Sequence, residues 1–324
     1  MAQLTYLEAI RDGLRGEMRR DPRVFVLGED VGVYGGAFKI TDGFLDEFGP
    51  WRVIDAPLAE TANVGAGIGA AVMGMRPVIE LQFADFVTDA FTQVVNMAAK
   101  YHWRTQAPLP LVLRMPYGGD IKGGPFHSQC MEAWFAHTPG LKIVAPAFAE
   151  DAKGLLVAAI RDPNPVMYFE HKHLYRFRRE EVSDGDYVTP IGRARLVREG
   201  AAVSVISYGW MLHKCVEAAE LAAAQGIETD VLDLRTLAPL DRDAILGSVR
   251  KTGKALIVHE ASRTGGIGGE IAALIAEEAF ESLDGPVVRL ASEDAPVPHN
   301  TGLEAAFQPT VAEIADAIRR LAAY

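Results

Sequence analysis

Short apolar, β-branched runs alternate along the chain with longer stretches of helical period. The runs 24–30 (VFVLGED), 76–83 (RPVIELQF), 109–116 (LPLVLRMP), 141–147 (LKIVAPA) and 165–170 (PVMYFE) read as strands, with helices at 88–104 and 150–162. Strands alternating with helices predict a parallel sheet covered on both faces, because each crossover lays a helix across the sheet. The charged, turn-rich segment 171–200 breaks the rhythm and reads as an interdomain connection. Beyond it the alternation resumes, with strands at 202–209, 229–234, 255–260 and 287–290, helices at 210–226, 241–251 and 309–323, and another helix after 265–270. The expected fold is α/β with two domains, residues 1–185 and 190–324, the second the smaller.

One stretch departs from ordinary amphipathic patterning. Residues 55–74 (DAPLAETANVGAGIGAAVMG) form a helix that is apolar or small on nearly every side, yet it opens with an acid, Glu60. A helix with no polar face must be buried all round, within the fold or across a subunit interface. Gly65 and Gly69, one turn apart, would let another backbone approach. A first-turn acid can simply complement the helix dipole. Beside such apolar sequence, however, a carboxylate is expected to be desolvated, with its pKa pushed upward, and to seek a donor or a basic nitrogen.

Composition narrows the function classes. The formal charge of −11 and the absence of a basic face exclude a nucleic-acid binder, and the acidity is read chiefly as favouring solubility. Cys130 and Cys215 stand far apart without metal-ligand spacing, which fits a reducing compartment. The first 18 residues lack the basic-then-apolar pattern of a signal peptide, and the longest apolar stretch, 64–75, is too short to span a bilayer. A cytoplasmic protein with no membrane partner is expected. Dinucleotide, P-loop and nucleophile-elbow motifs are absent. His171 and His173 have metal-like spacing but lie in the charged connection without further ligands, and read as a solvated surface pair.

Two further clusters could carry chemistry. At 80–100 a strand gives way to a helix with Gln82, Phe83, Asp85 and Phe86 at the junction, where ligands of open α/β sheets bind. Phe83 is read as core. At 114–141 a glycine-rich loop follows a strand and delivers His127 with Ser128 and Gln129; a loop histidine is an acid/base candidate. With Glu60, these clusters follow different strands of one domain and could converge on one pocket.

Taken in order, VLGEDVGVYGGAFKITDGFLDEFGPWRVIDAPLAE, ELQFADF, HSQCMEAWFAHTPGLKIVAPA, DAKGLLVAAIRDPNPVMYFE and VLDLRTLAPLD resemble the β subunit of the E1 component of 2-oxo acid dehydrogenase complexes over nearly the whole chain. The resemblance implies a transketolase-type pyrimidine-binding domain followed by a transketolase C-terminal-like domain. It implies an α2β2 assembly with the E1 α subunit, in which thiamine diphosphate lies between α and β and a 2-oxo acid is decarboxylated. The acyl group then passes to the lipoyl domain of the E2 acyltransferase, which docks through its subunit-binding domain. In the family the α subunit holds the diphosphate and magnesium through a GDG…N motif. This chain has none, since Gly185-Asp186 is followed by Tyr187.

Carried over by matching residues, Glu60 would hydrogen-bond N1′ of the aminopyrimidine, Phe86 would pack against that ring, and Leu58 and Gln82 would line the pocket. His127 would face the 2-oxo acid or the incoming lipoyl group. The segment AAIRDPNP resembles the family's monovalent-cation loop, placing potassium near Leu111, Ala159, Ile160, Asp162 and Asn164. Ala56 stands where relatives commonly carry Thr. The substrate signals conflict: HSQCMEAWFAHTPGL leans toward pyruvate enzymes, LQFADF and TGGIGGEI toward branched-chain ones. An acetoin dehydrogenase E1 β chain and a non-catalytic scaffold of the same fold are the alternatives.

Overall fold

The computed structural model describes all residues from Met1 to Tyr324. They divide into two compact units, Met1–Tyr117 with Trp134–Ile191, and Gly118–Ala133 with Gly192–Tyr324.

The first unit carries strands β1 (Ala2–Thr5), β2 (Val24–Gly28), β3 (Val53–Asp55), β4 (Arg76–Glu80), β5 (Val112–Tyr117), β6 (Lys142–Val144), β7 (Val166–His171) and β8 (Arg179–Val182). Its helices are α1 (Tyr6–Arg20), α2 (Phe44–Phe48), α3 (Glu60–Val72), α4 (Ala99–Thr105), α5 (Glu132–Ala136), where the chain returns to this unit, and α6 (Ala149–Arg161). Strands β6-β7-β5-β4-β2-β3 are hydrogen-bonded in that order and all run parallel. Every residue of β5 and β7 is buried, as expected of central strands covered on both faces. Strands β1 and β8 form a separate antiparallel pair. Helix α1 starts at a capping box between Thr5 and Glu8 and buries Tyr6, Ile10, Leu14 and Met18, a spacing of four that faces α6.

Charge lies at the centre of this sheet. The fully buried Arg114 on β5 donates from Nε and Nη2 to Glu170 of β7, at 2.6 and 2.8 Å, and from Nη1 to Glu80 of β4. Tyr175 donates to the same Glu170 at 2.8 Å. Burial pushes the Glu80 carboxyl up even against the pull of Arg114, whereas the two carboxylates hold the guanidinium firmly protonated despite its own burial.

Within the chain helix α3 is covered along one face, at Asn63, Val64, Gly67, Ile68 and Ala71, and exposed at Ala62, Ala66, Gly69 and Val72. Three expectations are corrected here. The glycine that permits close packing is Gly67, where a Cβ would come within 2.8 Å of Ile79 and 3.4 Å of Leu111, whereas one at Gly69 would meet open space. The helix expected at 88–104 is a 3₁₀ segment, Ala84–Ala90, then a π-helical one, Gln93–Ala98, then α4. His171 is not on the surface. As the last residue of β7 it is fully buried, edge-on to Tyr117 with ring centroids 5.0 Å apart.

The second unit contains β9 (Arg195–Arg198), β10 (Ser204–Ser207), β11 (Asp230–Asp233), β12 (Thr236–Ala238), β13 (Ala255–Ser262) and β14 (Val287–Ser292). Its helices are α7 (Gly209–Ala223), α8 (Arg242–Thr252), α9 (Ile267–Glu278), α10 (Thr301–Phe307) and α11 (Val311–Ala322). Its sheet runs β14-β13-β10-β11-β9, parallel except for β9 at one edge. Helices α7 and α11 pack together. The loop Gly118–Ala133, which leaves β5 of the first unit, clusters with this unit. It ends at Glu132, buried and accepting a hydrogen bond from Tyr208, with Oε2 unbonded. Burial, reinforced by the charge of Glu260, pushes this carboxyl up to about 7.

Two stability experiments follow from these buried acids. Arg114→Met leaves Glu80 and Glu170 buried without their cation, and is expected to cost about 3–5 kcal/mol in denaturant unfolding. Replacing all three charges by apolar residues should recover much of that loss. For Glu132 the folded pKa lies above the unfolded one, so its contribution is full below the ordinary carboxylate range and is lost as pH rises through about 7. Glu132→Gln, neutral throughout, should therefore be the more stable form above about pH 7, by a few kcal/mol at most, and the two unfolding curves should converge below about pH 5.

Candidate active site

Three neighbouring parallel strands of the first unit end level with one another, Gly28 of β2 lying beside Asp55 of β3 and Glu80 of β4. The carboxyl ends of such strands are where open α/β sheets bind ligands. The residues just past these ends are acidic: Glu29 and Asp30 after β2, and Glu60 at the first position of α3, five residues beyond β3. Asp55 accepts the Gly32 amide at 2.6 Å, and Gln82, just beyond β4, donates to Asp30 at 3.2 Å. These bonds tie the three strand ends into one rim.

Glu60 stands half-buried on this rim, and its carboxylate makes no hydrogen bond or ion pair within the chain. No side chain caps α3 at Ala59, so the helix start presents unpaired amides beside the acid. Asn63 donates to the Pro57 carbonyl at 3.0 Å, shaping the turn that leaves Leu58 80% exposed. Thr61 donates to the Asp89 carbonyl and so fastens the start of α3 to the segment bearing Phe86. The half-buried Phe86 ring meets Phe83 edge-on at 5.7 Å, and Phe83 in turn meets Phe38. Phe83 is half-buried, a support for Phe86 rather than deep core. Glu60, Leu58, Gln82 and Phe86 thus belong to one edge of the first unit.

The most buried of the acids just past these strand ends is Glu29. That carboxyl is 7% exposed, its Oε2 has no hydrogen bond, and burial raises its pKa, helped by the charges of Glu60 and Asp30. Reading the sequence for function passed over Glu29. The signal was present in VLGED, an acid pair directly after a β-branched strand.

His127 belongs to the second unit. It follows the 3₁₀ turn Gly124–Phe126, is half-buried, and sits between the exposed Phe126 and the buried Ser128, whose Oγ makes no hydrogen bond. The residues expected to hold potassium lie in the first unit. Asn164 Oδ1 is buried without a hydrogen bond, a fit for a cation ligand. The other oxygens are in use: the Asp162 carboxylate pairs with Lys142 at 2.5 Å, the Ile160 carbonyl accepts from Arg76 at 2.7 Å, and the Leu111 carbonyl accepts the Val166 amide at 2.9 Å. The Ala159 carbonyl accepts a long bond, 3.3 Å, from the Asp162 amide. No group of three or more His, Cys, Asp or Glu could hold a metal ion, and no helix is long and apolar enough to cross a membrane.

Residues 2–178 match the family model of the transketolase pyrimidine binding domain, and residues 192–314 that of the transketolase C-terminal domain. The chain is 48% identical to the 2-oxoisovalerate dehydrogenase subunit beta of Bacillus subtilis (strain 168), covering 100% of both. It is 43% identical to the pyruvate dehydrogenase E1 component subunit beta of Rhizobium meliloti (strain 1021), covering 98% of this chain and 70% of that one. A solved structure described as a split gene transketolase, inactive beta4 tetramer, superposes with a TM-score of 0.80 at 24% identity over 99% of each chain, a likeness of fold. With both domain models matched and full-length relatives of this kind, the chain belongs to the E1 β subunits of the 2-oxo acid dehydrogenases, oxidoreductases of transketolase fold with a thiamine-diphosphate-binding domain.

Proposed function

We propose that this chain supplies the pyrimidine end of a thiamine diphosphate site completed by an E1 α subunit in an α2β2 assembly. The α partner would contribute the diphosphate and magnesium ligands. The observation that carries the reading is Glu60, a carboxylate with no partner of its own at the ends of parallel strands, beside the buried Glu29. Two acids there are mutually unfavourable unless a proton or a cationic group comes between them and solvent. An aminopyrimidine ring nitrogen that takes up a proton satisfies that need, with Phe86 and Leu58 offering apolar surface to the ring and Gln82 a polar edge.

Bound thiamine diphosphate supplies the nucleophilic carbon and the electron sink for decarboxylating a 2-oxo acid. This chain's part is to hold a proton at N1′ through Glu60 and to restrict water with Phe86 and Leu58. His127 is proposed to act on the 2-oxo acid or the lipoyl group delivered by E2. For the cation site, Asn164 Oδ1 is the ligand best placed to bind potassium, with the Ala159 carbonyl, whose own hydrogen bond is long, in support, while the Leu111 carbonyl stays with the Val166 amide. The Asp162 carboxylate and the Ile160 carbonyl stay with Lys142 and Arg76. The substrate proposed is a branched-chain 2-oxo acid, since the relative named for 2-oxoisovalerate aligns over its full length at the higher identity.

The test is turnover of the chain assembled with its α partner, thiamine diphosphate and magnesium, using an artificial electron acceptor and either 3-methyl-2-oxobutanoate or pyruvate. Glu60→Ala should lower kcat about 10²–10⁴-fold. Because Glu60 has no partner within the chain, unfolding should shift by no more than about 0.5 kcal/mol. Normal turnover by Glu60→Ala would refute the assignment, and faster turnover of pyruvate would refute the substrate.

A further inference from the structure

The loop Gly118–Ala133 carries His127, yet few of its own residues hold it in shape. Its first part is gripped by buried acids from elsewhere in the second unit. Glu304, 2% exposed on α10, spans two amides of the loop, accepting from Asp120 N at 2.9 Å through Oε1 and from Lys122 N at 3.2 Å through Oε2. Glu260, 7% exposed on β13, accepts from Gly119 N at 2.5 Å. Asp120 and Lys122 have φ of +59° and +62°, left-handed conformations that cost a non-glycine residue about 1–2 kcal/mol each. The chain adopts them because they turn both amides toward a single carboxylate. Gly119 is required in the same place: a Cβ there would lie 3.1 Å from Glu304 Oε1, 3.3 Å from Glu260 Oε1 and 2.7 Å from Gln308 Nε2. The Asp120 side chain then fastens the loop a second time, accepting from Trp210 Nε1 at 2.6 Å.

The carboxylate charge is what suits the position. Backbone amides are donors only, and an ionised carboxylate offers acceptors on both oxygens, so the bonds are charge-assisted. A neutral amide of the same shape would present one acceptor and one NH2, and the NH2 would face a backbone N–H. Glu304 lies 184 and 182 positions along the chain from the two amides it holds.

We propose that Glu304 is a positioning residue for His127, fixing the loop through the amides of Asp120 and Lys122 so that the imidazole is presented in one orientation. This rests on the assignment of His127 to the reaction, and the two stand or fall on different variants.

The experiment uses the enzyme assembled with its α partner and compares Glu304→Gln, His127→Ala and the double variant, measuring turnover with the 2-oxo acid and E2 lipoyl domain. Glu304→Gln should lower kcat about ten- to a hundredfold, with KM for the 2-oxo acid little changed, as misplacing a catalytic group by about 1 Å does. Added to His127→Ala, it should cost little more, because the group it positions is gone. Trypsin should also cut after the exposed Lys122 faster in folded Glu304→Gln than in wild type. If Glu304→Gln does not assemble, Gly119→Ala disturbs the same contacts from the loop side and is expected to give the same pattern. Impaired His127→Ala with normal Glu304→Gln overturns the positioning role and leaves the His127 assignment standing. Normal His127→Ala overturns the assignment and, with it, this inference. Losses that multiply in the double variant overturn the inference too, since Glu304 would then act on something other than His127.

Discussion

A guanidinium between two carboxylates in the middle of a parallel sheet sets the frame for the first unit. Arg114 reaches Glu80 on one neighbouring strand and Glu170 on the other, all three buried. Apolar side chains on parallel strands tolerate small slips, because Val, Ile and Leu pack acceptably in several registers. A forked donor does not: a shift of one residue would turn one acid to the opposite face and leave an unpaired charge in the core. Glu80 is the last residue of β4, while Arg114 is the third of six in β5 and Glu170 the fifth of six in β7. Through Glu80 the trio fixes the level from which Gln82 departs. Such a trio contributes little net stability for its desolvation, and its value here lies in specifying one alignment.

The acids at the strand ends follow the opposite logic. Arg114 neutralises its neighbours, but Glu29, Asp30 and Glu60 crowd together with only Gln82 as an uncharged donor among them. A fold that only had to be stable would not keep a buried, incompletely bonded Glu29 beside two further carboxylates. The arrangement holds like charges close together, and with burial it raises the Glu29 pKa. The exposed side of α3, formed by Ala62, Ala66, Gly69 and Val72, begins directly beyond Glu60. Apolar surface that the chain leaves uncovered next to an incomplete site fits a protein that works with a partner.

Much of this was legible in the sequence where local pattern carried it. The alternation of short β-branched runs with helical periods gave β2, β4, β5, β6, β7, β10, β11, β13 and β14 and the long helices between them, but not the short strands β1, β3, β8, β9 and β12 or helices α1, α2, α5 and α10. The acid opening an apolar helix pointed to Glu60. What escaped was non-local or conformational. His171 looked exposed because the charged sequence after it has no period, although it is the inward end of a strand whose burial is continuous. Gly67 rather than Gly69 makes the close contact, since only the three-dimensional direction of the helix decides which glycine faces Ile79. The 3₁₀ and π-helical segments between Ala84 and Ala98 keep a helical pattern of apolar residues, and nothing in their sequence announces the change of winding. Glu304 and Glu260 were invisible for a simpler reason: their partners are backbone amides far away in the chain, which leave no mark on composition.

That last class changes the meaning of the protein's acidity. A charge of −11 was taken as a feature of the surface, yet the buried carboxylates outnumber the buried lysines and arginines several-fold. Several pair with a cation, as Glu17, Asp21, Glu80, Glu170 and Asp230 do. Many are met, alone or in addition, by amides at loops and strand ends: Glu304 by Asp120 and Lys122, Glu260 by Gly119, Asp230 by Gly200, Asp233 by Arg235, and Asp241 by Ala194 and Ala244. Each such bond satisfies a donor that would otherwise be orphaned where the regular ladder stops, and it does so with an acceptor strong enough to hold an unfavourable turn. Loops of an α/β protein bear its chemistry but lack the sheet's own hydrogen bonding. In this chain, buried carboxylates replace it, so the residue type that crowds the strand-end rim also gives the His127 loop its shape.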